Sequence, residues 1–274
     1  MGAFSYILIL SLVFGFGDLG DSKKDHKFFK ENYNEIQSGV IELDGKRYSV
    51  VKFYMFNKEV SNLHFKEYLH YRGMEDPRYR NLSEDEADFY MSYFRHAAFD
   101  DYPAIYLTKE DALDYCSWLK DMLAQRLEID ADKIEVRLPS RIEWIYAALA
   151  GNADNVYAWD GPYLRDSEGK YMANFNIAVS QEHITYDENS GEFRIVEYKQ
   201  NQGDTRYAQV ESYEPNAFGL YNMSGNVAEM VMENEMALGG SYISPGYDIR
   251  ARSEQDFTEA NPFVGFRPIV RIKE

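Results

Sequence analysis

The residues best suited to chemistry lie in the last third of the chain, where glycine and asparagine are frequent. Residues 216–229 read Asn-Ala-Phe-Gly-Leu-Tyr-Asn-Met-Ser-Gly-Asn-Val-Ala-Glu, and Leu-Gly-Gly-Ser-Tyr (238–242) and Gly-Phe-Arg (265–267) follow them. This composition indicates consecutive turns rather than a regular ladder of backbone hydrogen bonds. Asparagine and glutamate supply oxygen atoms, which hard cations such as calcium prefer. We therefore expect a bound cation to stabilise this irregular segment.

Thiol and imidazole chemistry has few candidates in this sequence. The chain has one cysteine, Cys116, and therefore no internal disulfide. Cys116 falls on the apolar stripe of a predicted helix, which favours a packed small side chain over a nucleophile. No His-x3-His or His-Glu-x-x-His pair occurs among the five scattered histidines, His26, His64, His70, His96 and His183. The spacing thus gives no support to a histidine-bound zinc or iron centre.

Composition and charge limit the possible partners. The 274 residues include 46 acidic and 29 basic side chains, which gives a formal charge of −17. A field of that sign repels phosphate backbones, so we expect no nucleic-acid partner. Apolar residues make up 45% of the chain and aromatic residues 16%, enough for a sizeable core. No repeat, low-complexity tract or clear linker divides the sequence, so we predict one domain.

An apolar run over residues 4–16 opens the chain and is too short to span a bilayer comfortably. Small residues at Gly15 and Gly17 offer a cleavage site, and a charged segment follows. We predict an export signal peptide over residues 1–21 and a polar, solvated lead-in over residues 22–39. A signal peptide usually has a lysine or arginine near its start, and none precedes this run. The alternative is therefore an apolar strand or helix packed on the domain. No lipobox cysteine follows it, and no transmembrane helix is expected in the mature chain.

The elements that would position the glycine-rich segment begin at residue 40. Alternating apolar residues over 40–54, interrupted by Asp44-Gly45, predict a β-hairpin. Residues 60–71 have helical spacing, with Ser61 or Asn62 available as the N-cap.

Two capping boxes predict two further helices. Thr108-Lys-Glu-Asp111 opens a strong amphipathic helix that extends to residue 127, and Ser140-Arg-Ile-Glu143 opens a helix that Gly151 ends. Residues 73–101 are polar and acidic, and a long loop or a short helix is expected there. After residue 152 the chain has short segments, including a hairpin at 184–198.

Five blocks, in the same order, resemble the formylglycine-generating enzyme (sulfatase-modifying factor) family. The blocks are residues 53–62, 102–118, 137–144, 216–229 and the closing pieces within 239–267. The resemblance extends from residue 40 to residue 274. It implies an α+β fold, a variant of the C-type lectin fold with little regular secondary structure.

The resemblance also implies a calcium site with Asn222, Gly225, Val227 and Glu229 at the ligand positions. The chemistry of the residues agrees, since two side chains offer oxygens and the carbonyls of residues 225 and 227 point to one side of an extended loop. The alternative is that Asn222 and Glu229 cap turns and pair with an arginine such as Arg267.

A second calcium site of the family corresponds to Asn174, Phe175, Gln202 and Asp204. The family has an aspartate where this chain has Gln202, and the change removes one negative charge. Occupancy of the second site is left open.

The sequence departs from the family where the enzymes have their redox centre. Those enzymes oxidise a substrate cysteine with two cysteines that bind copper, placed just after the Gly-Gly-Ser-Tyr block. Here Ser244 occupies the first of these positions and no second cysteine follows. A serine hydroxyl cannot replace a thiolate as a ligand of Cu(I). The iron-dependent sulfoxide synthases take their iron from a histidine-bearing helical domain for which this chain has no room, so neither copper nor iron is expected.

Two functions are compatible with these observations. The first is a non-catalytic, calcium-stabilised scaffold that binds protein partners in the cell envelope or outside the cell. Residues 59–69 are also similar to the gliding-motility and type IX secretion lipoproteins, which assemble into envelope rings. The second is a formylglycine-generating-type oxidoreductase or another enzyme that uses the same cleft. Its candidate side chains are Tyr242, Ser244, Asp248, Arg250, Arg252 and Glu254, but a serine nucleophile needs a base, and no histidine follows His183.

Overall fold

The structure is a computed structural model that describes residues 29–76, 82–177, 184–187, 192–195 and 206–273. The named helices are α1 (Asn62–Arg72), α2 (Glu84–Arg95), α3 (Lys109–Arg126) and α4 (Arg141–Ala148), with single 3-10 turns at Ala97–Phe99 and Ala131–Lys133. The strands are β1 (Tyr33–Ile36), β2 (Gly39–Leu43), β3 (Lys46–Val50), β4 (Phe53–Phe56), β5 (Ile134–Arg137), β6 (Ile184–Asp187), β7 (Glu192–Ile195), β8 (Ala228–Met230), β9 (Met236–Leu238), β10 (Glu254–Asp256), β11 (Val264–Gly265) and β12 (Ile269–Ile272). Over these ranges, no helix combines the length and apolar character needed to cross a membrane.

A four-stranded antiparallel sheet in the order β1-β4-β12-β5 forms the centre of the fold. Successive side chains of a strand point to opposite faces, so each face of this sheet builds its own core. Tyr33, Phe56 and Val270 belong to the core that includes α1, α2 and α3. Met55 and Ile269 belong to the core that includes α4 and the β2–β3 hairpin. The sheet therefore separates two apolar layers.

Local chemistry explains where the predicted elements begin and turn. Asp44 and Gly45 have φ angles of 51° and 73°, which a tight two-residue hairpin turn requires. Ser61 is the N-cap of α1 and accepts a hydrogen bond from the His64 backbone. The two capping boxes that open α3 and α4 are both present. The sequence predictions of the β2–β3 hairpin and of these three helices are therefore confirmed.

The structure changes one sequence prediction, the start of the folded domain, and makes a second one, the conformation of residues 73–101, more specific. The lead-in over residues 22–39 was expected to be solvated, but β1 pairs with β4 and Phe29 and Tyr33 are buried. These aromatic side chains explain why the folded domain begins before residue 40. In the acidic segment 73–101, where a long loop or a short helix is expected, Glu84–Arg95 form the helix α2, which packs its own Tyr90 into the core.

The second half of the chain forms a smaller sheet in the order β10-β9-β8-β11. Here β8 pairs with β11 in parallel, which places Glu229 opposite Gly265. Arg267 follows two residues later, so this pairing brings it to the glycine-rich segment. The β6 and β7 strands form the predicted hairpin, while its turn lies outside the described residues.

Candidate functional site

The glycine-rich loop between residues 216 and 229 has an unusual backbone. Asn222, Gly225 and Asn226 have φ angles of 52°, 81° and 64°, in the left-handed region that glycine and asparagine tolerate best. A Cβ atom on Gly225 would lie 2.3 Å from the carbonyl oxygen of Asn174. The sequence therefore needs glycine at this position for two reasons, the left-handed backbone and the close approach of a second loop.

Glu229 lies at the centre of a buried charged network. The Arg267 Nε donates to both Glu229 oxygens at 2.8 and 3.0 Å, and its Nη2 donates at 2.6 Å. The Trp144 indole donates to Glu229 Oε2 at 2.7 Å. All three residues are essentially fully buried. The arginine pairing considered as an alternative for Glu229 is thus present, and both carboxylate oxygens have strong partners.

A second buried carboxylate, Glu59, holds the loop from the other side. Asn226 Nδ2 donates to Glu59 Oε1 at 2.8 Å, and Asn222 Nδ2 donates to Glu59 Oε2 at 3.1 Å. Burial raises the pKa of Glu59 to about 8, while Arg267 lowers it and Glu229 adds a smaller rise. The network thus contains two carboxyl groups and one guanidinium, and burial favours the neutral form of Glu59.

The donor atoms around Asn222 are oxygen atoms, the type of ligand that a hard cation prefers. Asn222 Oδ1 is buried and has no hydrogen-bond partner in the part of the chain that the structure describes. An orphaned buried oxygen is costly unless an unseen water or ion satisfies it. Glu229, in contrast, would have to share its carboxylate with Arg267. The described residues contain no group of three or more histidine, cysteine, aspartate or glutamate side chains that could hold a metal, so amide and backbone oxygens would form most of the shell.

Two residues of the second predicted calcium set, Asn174 and Phe175, lie beside the first set. Asn174 Nδ2 donates to Asn226 Oδ1 at 3.2 Å, and the Asn174 carbonyl accepts from Asn226 N at 2.8 Å. Phe175 is buried next to it. Gln202 and Asp204 lie outside the described residues, so the structure brings together only half of this predicted set.

The segment around Ser244 is held mainly by backbone contacts. Ser241 N donates to Ser244 Oγ at 3.0 Å, and the Ser244 carbonyl accepts from Asn176 N at 2.9 Å. Three of the other candidate side chains have structural partners: Arg250 donates to the Tyr247 carbonyl, Arg252 to the Ala153 carbonyl, and Glu254 accepts from Arg141. These contacts orient the loop. Among the described residues, Ser244 Oγ has Ser241 N and Ser241 Oγ as its hydrogen-bond partners, and neither is a base that could activate the serine.

Cys116 lies on the buried face of α3. Burial raises the pKa of its thiol to about 12, so the thiolate, which is the reactive form, is scarce at neutral pH. The prediction that Cys116 packs in the core is confirmed.

Sequence reasoning missed three members of the buried network: Glu59, Trp144 and Asn226. Glu59 stands directly before Val60-Ser61, where a strand passes into a helix, and Asn226 follows Gly225. The sequence offered only a weak signal, a glutamate in a strand-to-helix turn that also contains Asn57 and Lys58. Such a residue is rarely buried without a partner.

Comparison with known proteins identifies the family. Residues 23–272 match the family described as the sulfatase-modifying factor enzyme 1-like domain. This chain belongs to that family. It is 29% identical over 132 residues to the formylglycine-generating enzyme of Bos taurus and 32% identical over 128 residues to that of Streptomyces coelicolor. Each match covers 47% of this chain, but only 26% and 31% of those relatives, respectively.

Solved structures agree on the fold. PvdO from Pseudomonas aeruginosa has a TM-score of 0.55 at 18% identity, covering 88% of this chain and 92% of PvdO. CarF has a TM-score of 0.57 at 19% identity, covering 89% and 98%. The predicted α+β fold of the sulfatase-modifying factor family is thereby confirmed. Cys116 is the single cysteine in the matched region, which agrees with the predicted lack of the family's cysteine pair.

Proposed function

We propose that this chain is a non-catalytic member of the sulfatase-modifying factor family that binds protein partners as a calcium-stabilised scaffold. The observation that carries the proposal is Ser244, which stands where the resemblance implies the first copper-binding cysteine. The one thiol of the chain, Cys116, is buried in the core on α3. A chain with one inaccessible thiol cannot supply the two thiolates that hold Cu(I) in these enzymes.

Calcium is proposed at the loop that contains Asn222, Gly225, Val227 and Glu229. The orphaned Asn222 Oδ1 supports this, because a cation would give that buried oxygen a partner. Bound calcium would supply positive charge and fix the loop, without taking part in a reaction. The second set of Asn174, Phe175, Gln202 and Asp204 remains a weaker proposal, since Gln202 is uncharged.

The proposed place of action is the cell envelope or the extracellular space. The apolar run at residues 4–16, read as an export signal, supports this. A role related to gliding motility or type IX secretion follows from the similarity of residues 59–69 to those lipoproteins. Cross-linking in the native host, followed by mass spectrometry of the purified chain, would identify the protein partners.

An oxidoreductase of the formylglycine-generating type is the second candidate. The names of the relatives favour it, and Ser241 and Ser244 lie next to each other in the corresponding loop, with their Oγ atoms 3.5 Å apart. In the part of the chain that the structure describes, no base is positioned to activate Ser244, so we rank the oxidoreductase second.

Copper binding and peptide oxidation separate the two candidates. We expect the purified chain to bind Cu(I) no more tightly than its Cys116→Ser variant, measured by competition with a chromogenic chelator. We also expect a cysteine-containing sulfatase peptide to gain no aldehyde, measured by mass spectrometry. Stoichiometric Cu(I) binding that disappears in Cys116→Ser, or aldehyde formed with turnover, would refute the scaffold proposal.

A further inference from the structure

A pocket of about 610 Å³ opens where α3 ends and the central sheet is no longer covered. Pockets of this volume are typical of small-ligand sites. Leu127, Ile129 and Ile272 supply an aliphatic part of its lining, and Tyr54 on β4 supplies an aromatic part. The pocket lies at the β1 edge of the central sheet, where Phe218 of the 216–229 loop also lines it. No step of the proposed function uses it.

The aromatic wall of the pocket is rigid. Phe29 stacks on Tyr33 with ring centroids 4.7 Å apart, and it meets the Tyr54 ring edge-on at 4.9 Å. Phe29 and Tyr33 are buried and also line the pocket, and Phe29 supports the Tyr54 ring through the edge contact. The half-buried Tyr54 ring therefore offers a fixed π-surface to a ligand.

The wall ends at a fixed carboxylate. The Tyr54 hydroxyl donates to Glu35 Oε2 at 2.7 Å, and the Gln37 amide donates to Glu35 Oε1. The hydrogen bond from Tyr54 lowers the pKa of Glu35, and Lys52 acts in the same direction, so this carboxyl is ionised at neutral pH. Lys52 Nζ lies 3.9 Å from the carboxylate on an exposed side chain, a distance and exposure that give a weak pairing.

We propose that this pocket binds an organic cation with an apolar body, such as a quaternary ammonium compound or a lysine side chain of another molecule. Glu35 would attract the charge, the Tyr54 ring would provide a cation–π contact, and the aliphatic lining would cover the body. The net charge of −17 favours the approach of cations over anions. Lys30 also lines the pocket, and its exposed, flexible stem allows its ammonium group to turn to solvent.

The test uses choline, N-acetyl-lysine methylamide and 3,3-dimethylbutan-1-ol, the neutral counterpart of choline, with the full chain. Binding is followed through methyl NMR signals of Ile129 and Ile272, while Ile41 in the opposite core is the reference. We expect one or both cations to shift the two pocket methyls and to bind at least about threefold more tightly than the neutral alcohol. Tighter binding of choline would indicate a free small ligand, and tighter binding of the lysine derivative would indicate a protein-borne one.

Variants locate the effect. Glu35→Gln should remove the preference for the cations, and Tyr54→Phe, which keeps the ring, should reduce it about twofold. Glu42→Gln, an exposed glutamate of β2, should leave binding unchanged. A shift of the Ile41 signal in Glu35→Gln would mean that the substitution disturbs the fold. In that case the affinity of Tyr54→Phe for the cations, relative to the alcohol, tests the proposal. Equal affinity for the alcohol and both cations, or no shift of Ile129 and Ile272, would overturn the proposal.

Discussion

Glu67 lies on α1 with 5% of its surface exposed, and neither carboxylate oxygen has a hydrogen-bond partner among the described residues. Burial raises the pKa of Glu67 to about 9, Arg126 lowers it, and Asp100 adds to the rise. The side chain is therefore a neutral acid at pH 7. Helical spacing predicts that Leu63, Phe65, Tyr68 and Leu69 share one side of the helix, and all of them except the half-buried Leu63 are buried. The spacing could not show that α1 also buries Glu67, since that depends on how α1 meets α3.

The Glu67→Gln variant tests this state through the pH dependence of stability. Because the pKa of Glu67 is raised in the folded state, its favourable contribution to the free energy of unfolding is complete below the unfolded pKa near 4.5. That contribution is lost as the pH rises through the folded pKa of about 9. Between pH 5 and pH 8.5, we expect the free energy of unfolding of Glu67→Gln to rise by about 1 kcal/mol or more relative to that of the wild type, measured by urea unfolding. Glu42→Gln, on the surface, should show no such trend, and parallel curves for wild type and Glu67→Gln would contradict the neutral state.

At the scale of elements, the regular pieces and the irregular loop differ in how much local sequence determines them. The helix starts at Thr108 and Ser140 follow from side chains that bond to backbone three residues away. The backbone of residues 222–229 instead depends on contacts with Glu59, Asn174 and Arg267, which are distant in sequence. Local patterns could therefore indicate turns, oxygen donors and, as an alternative, the pairing of Glu229 with Arg267. They could not indicate the hydrogen bond from Trp144 to Glu229.

Replacement of Gly225 by alanine tests the packing of that loop. Its added Cβ would meet the Asn174 carbonyl oxygen at 2.3 Å, whereas at Gly161, with a φ of 87°, nothing lies within 4 Å. Both substitutions strain a left-handed backbone, by about 1–2 kcal/mol. We expect Gly225→Ala to lose about 2 kcal/mol more than Gly161→Ala in the free energy of unfolding, because its clash is with backbone. Equal losses for the two variants would mean that the loop of Gly225 and the loop of Asn174 can move apart at little cost.

At the scale of the whole molecule, the net charge and the buried network both bear on calcium. Two buried carboxyl groups, Glu59 and Glu229, face a single guanidinium, that of Arg267, and a divalent cation would favour ionisation of both. The sequence alone indicated this ion through the resemblance and the donor types. It could not provide the geometry, which arises only when β8 and β11 pair.

Removal of calcium should lower the melting temperature of the purified chain, because a ligand bound only to the native state stabilises by mass action. At a free calcium concentration about 100 times the Kd, the stabilisation is about 2.7 kcal/mol. We expect Glu229→Gln to lose most of the calcium-induced rise, compared with its own chelated baseline because the substitution also weakens the Arg267 pair. Magnesium is the control, since it demands a tighter, octahedral shell. An unchanged melting temperature on chelation would leave the loop stabilised by protein contacts alone.

The connectivity of the central sheet has a consequence for biogenesis. Strand β12 lies between β4 and β5, so the sheet is incomplete until residues 269–272 have left the ribosome. Pairings so distant along the chain form slowly, since a long loop must close first. The nascent domain therefore stays incompletely folded, and able to pass through a narrow channel, until residues 269–272 have been made.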